Sequence, residues 1–152
     1  MTHRRDPSRS HLPRLLIADD DPVICSLLSA QLSRSFDVVA SAGDAEQAIA
    51  LAVEHRPDIA IVDMQMPAGG GLRAAREMHA LAPATAIVAL SADESDGMVR
   101  DVIQAGAIAY VRKGVAAHEL VTTLRRSIEA HVLLSAPAPG DPLALAAARA
   151  QL

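Results

Sequence analysis

Apolar and polar positions along this chain fall into two alternating kinds of segment. Short unbroken apolar runs occur at residues 15–18, 38–40, 59–62, 86–90 and 108–111. Between them lie longer stretches with helical spacing. In the first, Val23, Ile24, Leu27, Leu28 and Leu32 fall on one stripe. Asp21 and Pro22 stand where a helix places its N-cap and first-turn proline. Asp44 is placed to cap a second helix, expected to run to about residue 55 and to stop before Pro57. Further helices are predicted over 72–81, 96–105 and 116–130, the last burying Leu120, Val121, Leu124 and Ile128.

Five strands alternating with five helices demand parallel pairing, right-handed crossovers and helices on both faces of the sheet. Strands buried on both faces read as continuous apolar runs, and these do. The expected class is therefore α/β, a doubly wound five-stranded parallel sheet occupying residues 14–131. Residues 1–13, "MTHRRDPSRSHLP", have no periodicity and predict a flexible basic arm. Residues 132–152 predict a Pro/Ala-rich tail, with room for one short helix in "LALAAARAQL".

Composition narrows the picture. Among 152 residues Phe36 and Tyr110 are the only aromatics, so Ala, Val, Ile and Leu must build the core. A net charge of −4 argues against nucleic-acid binding by the chain as a whole. Cys25 is alone, which excludes an intrachain disulfide and suggests a reducing compartment. No apolar run nears the ~20 residues of a membrane span, and the arginine-containing N-terminus does not resemble a signal peptide. A cytoplasmic protein is expected.

The candidate chemistry lies at the strand ends. In open parallel sheets, function gathers beyond the carboxyl ends of the strands. The first strand ends in Asp19 and Asp20, the third in Asp63, the fourth in Ser91 and the fifth in Lys113. Two unit charges 4 Å apart repel by roughly 4 kcal/mol at an effective dielectric of 20. Crowded carboxylates are stable around a hard divalent cation, and Mg²⁺ takes one or two of them together with waters and phosphate oxygens. A carboxylate beside such an ion can accept a phosphoryl group as an acyl phosphate. Lys113 could neutralise one phosphoryl oxygen and Ser91 could hydrogen-bond another. Asp19 and Asp20 are thus read as metal-holding residues, Asp63 as the phosphoacceptor and Asp21 as a helix cap.

With "ADDDP", "PDIAIVDMQMP", "ALSA" and "AGAIAYVRK" in this order, the chain resembles the receiver domains of bacterial two-component response regulators over about residues 14–131. The resemblance implies a flavodoxin-like strand order 2-1-3-4-5 and phosphotransfer to Asp63 from a partner, a sensor histidine kinase or a phosphotransfer protein. It implies Mg²⁺ held by Asp20, Asp63 and the backbone carbonyl of Gln65, with Asp19 acting through water. Ser91 takes the switch hydroxyl position and Tyr110 the switch aromatic position. The face of the fourth helix, fifth strand and fifth helix would then control a partner or a homodimer. One departure is Gly114, which follows the lysine where the family often has proline; it leaves the phosphorylation chemistry intact.

Plainer roles compete. Each of these residues alone would more often be a cap, a strand-end hydroxyl or a solvated charge; the constellation favours the functional roles. The Gly-rich "PAGGGL" lacks the Lys-Ser/Thr of a nucleotide loop and is read as a turn. The six histidines lack ligand spacing and are expected at the surface. Cys25 is expected to be a small packing residue. A phosphorylation-independent scaffold would be expected to lack an acid or the lysine. An aspartate-nucleophile phosphohydrolase would carry a second acid two residues after Asp63, where this chain has Gln65. The chain is expected to be a regulator rather than an enzyme acting on an external substrate.

Overall fold

The computed structural model describes residues 12–67, 70–92 and 95–135; most of the expected basic arm, and the expected short helix of the tail, lie outside them. In chain order the elements are β1 (Arg14–Ala18), α1 (Pro22–Leu32), β2 (Asp37–Ala42), α2 (Ala45–His55) and β3 (Ile59–Asp63). They continue with α3 (Gly70–Leu81), β4 (Ala86–Ser91), α4 (Asp96–Gln104), β5 (Ala109–Arg112) and α5 (Ala117–Ser135). All pairings are parallel and the order is β2-β1-β3-β4-β5, the doubly wound sheet that the alternation requires.

Side chains of a strand alternate between its two faces, so each apolar run feeds two cores. Leu16, Ala60, Val62, Ile87 and Ala89 pack against Ala45, Ala48 and Ala52 of α2 and Ala74, Ala75 and Met78 of α3. Leu15, Ile17, Ile61 and Val88 pack on the other face with Leu28, Leu32, Phe36, Leu120 and Leu124. Alanine brings α2 and α3 close to the sheet, while the face carrying α1 and α5 is filled by larger residues. The central strands β3 and β4 are buried throughout, and the edges β2 and β5 only partly.

The helix starts follow local chemistry. Asp21 Oδ1 accepts the Val23 N–H at 2.9 Å, with Pro22 in the first turn. Asp44 Oδ1 accepts from Gln47 N at 2.8 Å, and Ser95 Oγ from Met98 N at 3.3 Å. Each such cap stabilises by about 1 kcal/mol. Helix α2 ends at Arg56, whose φ of 46° turns the chain into Pro57.

Two expectations need correction. Val23 and Leu27 are 71% and 51% exposed, leaving Leu28 and Leu32 buried and Ile24 half-buried, so the buried stripe of α1 is narrower than the spacing suggested. Helix α5 buries Leu120 and Leu124 but leaves the expected Val121 and Ile128 half-buried, and it runs five residues beyond the expected 130, to Ser135. The expected end followed the last core contact near Ile128. The backbone stays helical because Gly and Pro are absent until Pro137, and Val132, Leu133 and Leu134 are left exposed.

Candidate acidic site at the carboxyl edge of the sheet

The ends of β1, β3, β4 and β5 meet at one rim. Asp19 directly follows β1, its N–H bonded to Ala42 O of β2 at 2.9 Å. Its Oδ1 accepts the Asp21 N–H at 2.9 Å, which folds the acidic triplet back on itself. Asp63 closes β3 and is fully buried. Its Oδ1 accepts from Gln65 N and from Lys113 Nζ, both at 3.0 Å. Lys113 arrives from β5, with its own N–H on Ser91 O at 3.0 Å. The same ammonium stands 3.9 Å from Asp19 Oδ2. Asp20 is exposed at the mouth.

The charges do not balance. Asp19, Asp20 and Asp63 each place a carboxylate oxygen so that all three lie within 4.8 Å of one another, and Lys113 is the cation among them. Asp19 Oδ2 and Asp63 Oδ2 are buried and have no hydrogen-bond partner. Burial pushes the Asp19 carboxyl above its ordinary value; the Asp21 N–H opposes this, Asp63 adds to it and Lys113 opposes it. An unpaired buried carboxylate oxygen is costly. Two such oxygens beside an exposed third acid suit a hard divalent cation with oxygen ligands, so the donor set fits Mg²⁺.

Ser91 is fully buried at the end of β4. Tyr110 pairs with Ala89, two residues earlier, and packs against the α2–α3 side of the core. By the alternation of the strand, Ser91 and Tyr110 belong to the same face of the sheet. Met64 N bonds Leu90 O at 3.0 Å, carrying the β3–β4 pairing one residue past Asp63.

Cys25 lines a cleft of about 530 Å³ between α1 and the end of β2, together with Asp19, Asp20, Ser26 and Ser41. Its thiol donates to Asp19 O at 3.3 Å, and burial raises its pKa. It therefore packs beneath the rim as a weak donor. Among the described histidines, His79 and His118 are exposed while His55 and His131 are half-buried, and His131 places Nε2 2.8 Å from Pro83 O. Gly71 bears directly on Asp63. As one of three consecutive glycines, nothing in the sequence marks it out.

Among the described residues no helix is long and apolar enough to cross a membrane. A family model for the response regulator receiver domain matches residues 15–125. The Mycobacterium tuberculosis transcriptional regulatory protein PdtaR is 34% identical over 118 residues, 76% of this chain and 56% of the relative. The response regulator GacA of Pseudomonas viridiflava is 32% identical over 114 residues, 74% of this chain and 53% of the relative. The chain thus spans about half the length of these curated relatives. The crystal structure of a LuxR-family two-component response regulator from Aurantimonas sp. SI85-9A1 superposes with a TM-score of 0.74 at 28% identity, covering 78% of this chain and 86% of that one. By the family match and by its fold, the chain belongs to the response regulator receiver domains of two-component signalling systems.

Proposed function

We propose that this receiver domain is a phosphorylation-dependent switch whose phosphoacceptor is Asp63. The observation that carries the proposal is the state of that carboxylate. It is wholly buried, Oδ1 is held by Lys113 and the Gln65 N–H, and Oδ2 is unpartnered beside Asp19. A fixed nucleophile with one oxygen held and the other bearing no hydrogen bond is arranged for attack on phosphorus.

In the proposed step an Asp63 oxygen bonds the phosphorus of a phosphohistidine on a sensor histidine kinase or phosphotransfer protein. The P–N bond breaks, its electron pair stays on the imidazole nitrogen, and that nitrogen takes a proton from solvent. Water later cleaves the acyl phosphate, returning the carboxylate and inorganic phosphate. Mg²⁺, held by Asp20, Asp63 and the Gln65 carbonyl with Asp19 through water, would offset charge on the phosphoryl oxygens. Lys113 would exchange its bond to Asp63 Oδ1 for one to a phosphoryl oxygen, and the Ser91 hydroxyl would donate to another. Movement of Ser91 toward the phosphoryl group, with Tyr110 following on the same face, would alter the surface of α4, β5 and α5 that meets a partner or a second copy.

Incubation with acetyl phosphate and Mg²⁺, followed by intact-mass measurement, tests this. Wild type should gain one phosphoryl group and Asp63→Asn none. Equal labelling of the two proteins would overturn the assignment.

A further inference from the structure

Two adjacent glycines open α3, and they are glycine for different reasons. Gly70 has a φ of +72°, a conformation that favours glycine, and a Cβ there would meet only Met64 O at 3.5 Å. Gly71 has no left-handed backbone to accommodate. A Cβ on it would stand 2.3 Å from Asp63 O, 2.5 Å from Met64 Cα and 2.8 Å from Met64 Cε. The two nearest atoms are main chain and cannot swing aside as a side-chain tip could. On the strand side, Met64 N is bonded to Leu90 O at 3.0 Å, and Gly71 N points back to Met64 O at 3.3 Å. The Asp63–Met64 peptide is therefore held between β4 and the first turn of α3, with no space left between.

We infer that Gly71 is a positioning residue for the phosphoacceptor: its bare Cα sets how deeply Asp63 sits beneath Lys113 and beside Asp19. The inference rests on Asp63 being the residue phosphorylated. A methyl group at position 71 must push the Asp63 carbonyl outward, and with it the turn that directs the Gln65 N–H onto Asp63 Oδ1. A shift of about 1 Å at a reacting group can cost on the order of 100-fold in rate.

The test compares labelling rates of the full chain with acetyl phosphate and Mg²⁺ for wild type, Gly71→Ala and Gly70→Ala. Both variants burden the start of α3, but only the first presses on Asp63, so rates are compared at temperatures equally far below each melting point. Gly71→Ala should label about 100-fold more slowly than wild type, and Gly70→Ala within a few-fold of it. Equal slowing in both variants would overturn the positioning role. A wild type that takes no label would instead refute the phosphoacceptor assignment itself. A second measurement does not depend on either variant folding: Mg²⁺ with beryllium fluoride, a phosphoryl mimic, should slow exchange of the wild-type Gly71 amide. An unchanged Gly71 amide would equally overturn the role.

Discussion

Lys113 reaches across from the end of β5 to place Nζ 3.0 Å from Asp63 Oδ1, joining a solvent-accessible cation to a fully buried acid. Removing the cation leaves Asp63 with the Gln65 N–H on Oδ1 and nothing on Oδ2. Breaking a fully buried pair costs ~3–5 kcal/mol, and because water reaches Lys113 we expect about 2 kcal/mol for Lys113→Ala. Phosphorylation should persist at a reduced rate while its conformational effect is lost. Denaturant titration and amide exchange before and after labelling would check this, and a response of wild-type size would contradict it.

Asp19 makes the metal-free protein sensitive to pH. Burial raises its pKa above 3.8, so the folded form binds this proton more tightly than the unfolded chain does. Its destabilising effect is therefore fully present at neutral pH and is relieved as pH falls through the raised value toward 3.8. Asp19→Asn can still accept the Asp21 N–H, and without metal at pH 7 it should be more stable than wild type. Its gain on acidification should be smaller than that of wild type. A series of denaturation curves in a chelator, from pH 7 downward toward pH 3.8, decides the matter.

Asp20 is exposed and should separate metal binding from folding. For Asp20→Asn we expect a change in stability within ~0.5 kcal/mol, as for most surface substitutions. Mg²⁺ affinity should fall at least several-fold. Calorimetric titration showing equal affinity for wild type and variant would remove Asp20 from the metal site.

The exposed Val23 lies in the first turn of α1, next to the acidic rim, and the exposed Leu27 lies one turn further along. If Asp63 is the phosphoacceptor, a protein phosphodonor has to reach that rim, and Val23 and Leu27 are exposed apolar side chains on the helix that follows it. Truncating both to Ala should slow transfer from a kinase or phosphotransfer protein by roughly 10-fold, the scale of a ~1–2 kcal/mol interface contact. Labelling by acetyl phosphate, which needs no docking, should be unchanged. Equal slowing with both donors would argue against this surface.

Helix α4 is the most weakly anchored helix on its side of the sheet. Val102 is its one buried residue, Met98 and Val99 are half-buried, and Ile103 is 48% exposed. Elements with few buried contacts move at small cost. Beryllium fluoride with Mg²⁺ should therefore change amide exchange mainly in α4, β5 and α5, and light scattering should show whether the altered face self-associates. Protection changes confined to α1 and α2 would place the output elsewhere.

Much of this architecture is legible in the chain because strand and helix periodicities differ so clearly. The apolar runs ending at Asp63 and Ser91 identify central strands, and the same rule brings Asp19, Asp20 and Lys113 to one edge. Less legible are features set by distance rather than residue type. The spacing of Val23 and Leu27 fits a buried stripe, yet α1 is rotated so that they face outward. The last turn of α5 needs no core contact and is invisible to a count of buried positions. The role of Gly71 depends on a 2.3 Å approach between segments that composition alone shows only as a turn.

Tyr110 has an optical consequence. With one tyrosine and no tryptophan in the chain, near-ultraviolet emission comes from a single half-buried ring on β5, two strand positions behind the Ser91 level. No energy transfer to an indole can mask it. The unmodified protein thus carries its own fluorophore on the same sheet face as the proposed switch hydroxyl, and stopped-flow emission can time the rearrangement of that region without an introduced label.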